Sequence, residues 1–508
     1  MVVPMKRMAP YGFDRYSSLT DLTALKEASA KPLRKSLRVD TLKTSIEAFQ
    51  KWAKERGWNL EQIPWCKEGF FVQTPLDTPL DSLRSLGATR GDKEEAFGRD
   101  LLHQLGHTYI QEAASMLPVE LLDPKPGEEI LDLCSAPGSK TTQIAARMQE
   151  KGVLVANDIQ EKRLWVLKQA LHRSGVTNVI VTKKVGQWFS KNMTERFDRV
   201  LCDAPCTAQG IVRKDPSALA YSSDQAIQKM ATLQFALLES AIHAAKVGGR
   251  IVYSTCTLTP EENEGIVLAI LKKLSGKIEI VDPSEVLGSR FQVLGKANED
   301  SWKVQKYLSE KSSKTYHLTP NTFPALRLWP HTYDTEGFFA AVLRKVDRTR
   351  DVIAPPPFRE KEKSINRARL EQISHELTKR YGTSFLHEGE ILQERGEYLM
   401  LMTDAAAAFS LPEERYACGL PFCKVLKNGR HRLTHEIVTL RGNEATTQVI
   451  PLSDDEKENI LDGKNIQCNR SLLGEYVLQW RNIPIGLGMA KEGVIKNWIP
   501  REVLRQIT

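Results

Sequence analysis

Two cysteines, Cys206 and Cys256, stand just past the ends of two apolar runs, FDRVLCDAP and GRIVYSTC. A thiolate is a nucleophile and a good covalent catalyst when a positive charge stabilises it. Asp203 precedes Cys206 by three residues, and Lys140 closes an earlier loop that also follows an apolar run. Each cysteine taken singly reads as an inert buried thiol. If the runs are strands of one sheet, both thiols, Asp203 and Lys140 share one rim, and the lysine charge favours the thiolate. Together they read as a reaction centre.

The earlier loop is Cys134-Ser135-Ala136-Pro137-Gly138-Ser139-Lys140. Its small residues let the backbone approach a ligand, and the helix that it opens offers free N–H groups. It has neither the P-loop spacing nor the GxGxxG fingerprint; taken alone it reads equally as a tight strand-to-helix turn. The next apolar run ends at Asp158. An acid there binds the ribose hydroxyls of an adenosine cofactor, or caps the following helix.

These residues need a scaffold. From residue 128 the chain alternates strand and helix: EEILDLC, TTQIAARM, GVLVAND, EKRLWVLKQALHRSG, NVIVT, FDRVLCDAP, a long helix stopping at Gly248-Gly249, GRIVYSTC, EENEGIVLAILKKL and FFAAVLRK. That rhythm predicts an α/β, Rossmann-like parallel sheet covered on both faces, with ligands beyond the carboxyl ends of the strands. The predicted divisions are a mixed, mostly helical N-terminal domain over 1–113, the α/β domain over 114–345 and a Pro- and charge-rich linker over 346–366. An intermediate region over 367–430 and a small, mainly β module over 431–508 follow.

The chain has 508 residues, 41% of them apolar, and a formal net charge of +8. The charge leans toward a polyanionic partner such as nucleic acid. The basic run Lys31, Arg34, Lys35, Arg38 and Lys43 reads from charge alone as a solvated face. The N-terminus has no apolar run and no stretch approaches the length of a membrane span, so neither a signal peptide nor a membrane is expected. Eight cysteines in so long a chain fit a reducing cytoplasm better than a disulfide framework. Cys418 and Cys423 lie close together without a second ligand pair, and no metal is expected. Nothing in the sequence points to an obligate protein partner or to more than a monomer.

LDLCSAPGSKT, NDIQEKR, LCDAPC and YSTCTLTPEENE together resemble the Sun-type RNA cytosine-5 methyltransferases. LRVDTLK, YIQEAASMLP and RLWPHTYDTEGFFAAVL extend the likeness over about residues 30–345, and IPIGLGMAKEGVIKNWIPRE resembles the PUA-like end of bacterial RsmF-type members. The resemblance implies an S-adenosylmethionine-dependent RNA methyltransferase whose substrate is ribosomal RNA of the small subunit, with transfer RNA as the alternative. A decayed, purely RNA-binding assembly factor is the reading from another class.

The resemblance also assigns roles. Cys256 is the nucleophile and Cys206 assists product release. The loop from Cys134 through Lys140 holds the cofactor with Asp158 and Arg163, and Asp203 contacts both cofactor and base. The chemistry suits a thiol: addition to carbon 6 of cytosine makes carbon 5 nucleophilic, and an acid near ring nitrogen 3 balances charge. Two departures from the family pattern stand out. Val185 stands where an acid is usual near the adenine, and Thr207-Ala208-Gln209-Gly210 replaces Ser-Gly-Glu-Gly. In this context Lys31 to Lys43, Arg213 and Lys214 become candidates for the RNA path, and the target cytosine is expected to flip out of its stack.

Overall fold

The computed structural model describes residues 12–74, 100–221, 223–311, 323–352, 364–468 and 471–507. Residues 353–363 of the expected linker lie outside them. Ser36–Val39 (β1), Asn59–Gln62 (β2), Gly69–Gln73 (β3) and Thr108–Ile110 (β4) form an antiparallel sheet in the order β2-β3-β1-β4. Among its described residues the N-terminal region therefore carries a four-stranded sheet that the mostly helical reading did not anticipate.

The central sheet contains Glu129–Asp132 (β5), Val153–Asn157 (β6), Val179–Thr182 (β7), Phe197–Asp203 (β8), Ala245–Thr255 (β9), Ile278–Val281 (β10), Ala325–Leu328 (β11) and Phe338–Lys345 (β12). Its order is β10-β12-β9-β8-β5-β6-β7, with β11 paired to β12. Strands β5 to β9 pair in parallel. β6 and β7 are buried along their whole length, as strands covered on both faces must be. This is the expected Rossmann-like core. The order reverses at β5, so the switch point lies between β5 and β8, with Asp132 and Asp203 at the two strand ends.

Two features differ from the sequence reading. The long helix ends at Ala244, before Gly248-Gly249, because the chain has already entered the sheet: Ala245 pairs with Phe197 across an irregular register. The second is β12, which runs antiparallel to β9, with Phe339 opposite Thr255. Its first residues therefore lie beside the last residues of β9, and the segment before β12 reaches the rim of Cys256.

Beyond the core, Glu390–Arg395 (β13), Tyr398–Thr403 (β14), Ala417–Cys418 (β15), Leu420–Val425 (β16) and His431–Leu433 (β17) follow the helix Arg367–Tyr381. β15 leaves this group and pairs with the outer edge of β7. Phe409, Leu411 and Cys418 enter the same apolar cluster as Val155 and Ile180, so this region packs on the central sheet. Val449–Pro451 (β18), Ile466–Gln467 (β19), Gly474–Trp480 (β20), Ile483–Lys491 (β21) and Val494–Asn497 (β22) make a last five-stranded sheet. Its Leu478, Trp480 and Ile485 pack against Leu101 and Leu105 of the N-terminal region. Among the described residues no helix is long and apolar enough to cross a membrane.

Candidate active site

The helix Ser139–Met148 begins directly after β5 and its loop. Gly138 is the N-cap at φ 115°, with no side chain capping the first turn. A Cβ at Gly138 would press to 3.0 Å from Cβ of Ala170, so the left-handed turn and the close helix behind it both require glycine. Ser135 Oγ donates to the Asn157 carbonyl at 2.9 Å, tying the loop to the end of β6. Asp132 Oδ2 accepts from Thr141 at 2.8 Å, while its Oδ1 is buried with no hydrogen-bond partner among the described residues. Burial pushes Asp132 up to about 7, with the Asp203 charge adding to it and the Thr141 bond opposing it. An uncapped helix start beside a buried carboxylate oxygen is a polar cradle with unused capacity, as a cofactor site requires.

Asp158 follows β6 directly. Its Oδ1 accepts from the Gln160 N–H at 2.9 Å, and its Oδ2 pairs with Arg163 at 2.9 Å. Arg163 also donates to the Ala136 carbonyl of the first loop. The carboxylate thus makes the helix-entry contact, and one arginine couples it to the loop. Val185, where an acid was expected, is 51% exposed, and Ile159 after Asp158 is 55% exposed. Asn157 bonds the Lys184 carbonyl at 3.0 Å, so these aliphatic side chains follow two tied strand ends.

The reactive cluster lies at the ends of β8 and β9. Cys206 and Cys256 are half-buried, with their sulfurs 3.4 Å apart. Contact with Cys256, then burial, pushes the Cys206 thiol well up, so Cys206 keeps its proton. Lys140 Nζ donates to Asp203 Oδ2 at 2.8 Å and to Ser115 Oγ at 3.0 Å. Burial works against the Lys140 charge, but Asp203 outweighs it and holds the ammonium above the usual lysine range. Ser254 Oγ donates to Asp203 Oδ1 at 2.7 Å. The four side chains singled out in the sequence therefore meet on one rim: a pair of thiols in contact beside a half-buried ion pair, an arrangement suited to covalent catalysis.

A buried polar knot behind the sulfurs holds both cysteine loops. Glu262 accepts from the Thr207 N–H at 3.0 Å, from Gln234 at 2.8 Å and from Thr259 at 2.8 Å. Gln209 accepts from the hydroxyls of Thr257 and Thr259. Gly210 N–H donates to the Cys256 carbonyl at 2.9 Å, and a Cβ at Gly210 would lie 2.5 Å from that oxygen. Gln209 thus works as a positioning residue, and its neutral amide spares this pocket a second carboxylate beside Glu262.

Sequence reasoning missed one further wall. Glu112 accepts from the backbone N–H groups of Ser115 (3.0 Å) and Glu336 (3.1 Å). Glu336 is 7% exposed, and its Oε1 has no partner among the described residues. Burial and then the Glu112 charge push Glu336 up to about 8, against Lys214, Lys140 and Arg213. Between its ordinary value of 4.5 and about 8, the folded protein keeps a proton that the unfolded chain releases, so stability falls as pH rises. Glu336→Gln is expected to raise the melting temperature, with a gain that grows from about pH 5 to about pH 8. A difference independent of pH in a thermal-unfolding series would contradict the protonated state.

The basic run is not the open face that its charges suggested. Arg38 is 1% exposed and bonds Gln111 and Thr142. The Arg213 side chain is 1% exposed, pairs with Asp334 at 2.8 Å and binds the carbonyls of Lys31, Pro32 and Thr335. Both are internal ties, which corrects their reading as RNA contacts. Arg34 pairs with Glu61 and lies 3.7 Å over the Phe71 ring. Lys31 and Lys214 are exposed. Cys418 and Cys423 sit in different sheets. The gathered Cys66, Glu68 and Glu120 have their charges matched by Arg147 and Arg290.

Comparison with known proteins agrees along the chain. The family described as 16S rRNA methyltransferase RsmB/F matches residues 119–344. The N-terminal domain of 16S rRNA methyltransferase RsmF matches 15–113, and the methyltransferase RsmF PUA domain matches 447–505. The ribosomal RNA small subunit methyltransferase F of Psychromonas ingrahamii is 33% identical over 497 residues, covering 94% of this chain and 92% of the relative. That of Escherichia coli O1:K1 is 34% identical over 488 residues, with 94% and 92% covered. A methyltransferase homolog structure from Pyrococcus horikoshii is 32% identical at a TM-score of 0.51, covering 65% of this chain and 93% of that one. Identity of a third across nearly the whole length, with all three family segments in order, bears out the Sun-type resemblance: the chain belongs to the RsmF family of ribosomal RNA small subunit methyltransferases.

Proposed function

We propose that the protein methylates carbon 5 of a cytosine in small-subunit ribosomal RNA, in the cytoplasm, using S-adenosylmethionine. The observation that carries this reading is the pair of sulfurs 3.4 Å apart beside the Lys140–Asp203 ion pair, at the carboxyl edge of the sheet. Family membership supports the RNA substrate and the methyl donor.

The cofactor would be held by the loop from Cys134 to Lys140, with Asp158 and Arg163 at its ribose end and Asp203 near the reacting centre. Ile159 and Val185 offer apolar surface to the adenine in place of the missing acid. When bound, S-adenosylmethionine supplies an electrophilic methyl group. The protein prepares its acceptor. The two sulfurs lie in contact, and Lys140 supplies the positive charge that favours a thiolate at Cys256. Cys256 sulfur adds to carbon 6 of the flipped base, and the displaced π electrons make carbon 5 nucleophilic. As negative charge develops at ring nitrogen 3, Asp203, fixed by Ser254 and Lys140, would neutralise it by carrying a proton there, taken up from Lys140 or solvent. After methylation, a base or solvent takes the carbon 5 proton, the C–H electron pair re-forms the ring double bond, and the electron pair of the C–S bond returns to Cys256. Cys206, in contact with the departing sulfur, assists that release.

The direct test is transfer of labelled methyl from S-adenosylmethionine to unmodified small-subunit ribosomal RNA, followed by nucleoside analysis. Label in 5-methylcytidine is the expected result. Label in another nucleoside overturns the chemistry, and preferential labelling of transfer RNA overturns the substrate.

A further inference from the structure

A cavity of about 410 Å³ opens between the N-terminal region and the C-terminal sheet. Its walls come from four separate parts of the chain: Lys43 to Glu55, Leu102 with His107, the helix His435–Arg441 through Thr439, and the turn between β20 and β21 at Arg481 and Asn482. It is remote in sequence from the cysteine loops, and nothing in the proposed chemistry uses it.

Lys43 lines the cavity and donates to two neutral acceptors, the Leu105 carbonyl at 2.8 Å and Thr439 Oγ1 at 3.1 Å. Among the described residues no carboxylate reaches ion-pair distance of it. Its nearer acids, Asp40 and Glu436, are themselves pushed up toward neutrality by burial. Burial lowers Lys43 to about 7, with Asp40 and Glu436 opposing it, so an amine without a counterion is held only partly charged, and an anion that joined it would restore the full charge. His107, 7% exposed, lines the same wall, and its Nε2 is buried with no hydrogen-bond partner among the described residues. Burial and the Lys43 charge push His107 down to about 3, so its ring is neutral, and in the tautomer protonated at Nε2 this nitrogen has a donor to offer. Lys51 stands exposed at the mouth, together with Arg481, which Asp454 and Glu55 hold in place. Arg481 is thus already matched by Glu55 and Asp454, which leaves Lys51 as the added positive charge at the entrance.

An oxyanion fits this set: a lysine amine without a counterion, an orphan imidazole, and the exposed Lys51 at the mouth. We propose that the cavity seats a phosphodiester group of the RNA backbone, with Lys43 as its cation and Lys51 at the entrance. The assignment of RNA as the source of the phosphate rests on the proposed function. The site gives the appended C-terminal sheet and the N-terminal region a joint hold on substrate, away from the reacting cytosine, and it positions without reading sequence.

The test uses the full chain, a fluorescent fragment of unmodified small-subunit ribosomal RNA, and a salt titration. Lys43→Gln is expected to weaken binding roughly tenfold or more and to lower the slope of log K against log[salt] by about one. Cofactor affinity should not change. Lys51→Gln, on the exposed rim, should lower the slope with the melting temperature unchanged, so the site remains testable if Lys43→Gln folds poorly. Unchanged slopes in both variants overturn the site. Inorganic phosphate that raises the melting temperature of the wild type but not of Lys43→Gln, with RNA affinity equal in the two, overturns RNA as the occupant. A wild type that shows the Lys43-dependent slope yet transfers no methyl overturns the proposed activity and leaves the site standing.

Discussion

Glu264→Ala is expected to destabilise the protein by about 3–5 kcal/mol, the range for removing one partner of a fully buried ion pair. Arg327 and Glu264 have no exposed side-chain surface. The guanidinium donates to both Glu264 oxygens and, through Nη1, to the Leu258 carbonyl at 2.7 Å, while Ser301 donates to Glu264 at 3.0 Å. Deleting the carboxylate strands Arg327 without solvent or counterion. The effect should appear as a fall in melting temperature of roughly 10 °C. Replacing both residues together (Glu264→Leu with Arg327→Met) removes the stranded charge and should cost less than Glu264→Ala alone. A double variant less stable than the single one would show that the pair contributes net stability beyond avoiding an unpaired charge. Because Leu258 lies two residues beyond Cys256, the single variant should also loosen the Cys256 loop.

The second large effect concerns the two thiols, and their variants should fail differently. Cys256→Ala is expected to lower methyl transfer by roughly 10⁴-fold or more, as removal of a covalent nucleophile does. Cys206→Ala is expected to form the bond to RNA and release it slowly, so that a protein–RNA species survives denaturation. Neither change should disturb the fold, since both sulfurs are half-buried and the Glu262 knot holds the loops through Thr207, Gln234 and Thr259. Ordinary cofactor affinity in both variants is the control. If both lost activity alike and neither retained RNA, the sulfurs would not divide the work between bond formation and release.

The core of the site was legible because its residues sit in local patterns. A buried strand, a loop of small residues and a helix start mark Cys134 to Lys140 within eleven residues. The same strand-end logic brings Cys206 and Cys256 together once β8 and β9 are neighbours. What could not be read depends on contacts distant in sequence. Glu262 binds Thr207 across 55 positions, and neither residue carries a periodicity that announces it. Glu336 reaches the rim only because β12 runs antiparallel to β9, a direction that strand–helix alternation does not encode. Charge was the weakest guide. Arg38 and Arg213 belong to basic stretches yet turn inward, while Lys43 in the same run lines a cavity. Gly248-Gly249 looked like a helix stop, but the helix yields earlier to the pairing of Ala245 with Phe197.

The central claim is that Cys256 is the sulfur that bonds to cytosine. Its most direct test is to incubate Cys206→Ala with S-adenosylmethionine and unmodified small-subunit ribosomal RNA, digest the trapped species with protease and nuclease, and locate the modified peptide by mass spectrometry. A methylated cytidine on the peptide carrying Cys256 is the expected result. A trapped species that forms instead with Cys256→Ala, and carries the nucleotide on Cys206, would contradict the assignment and exchange the roles of the two thiols.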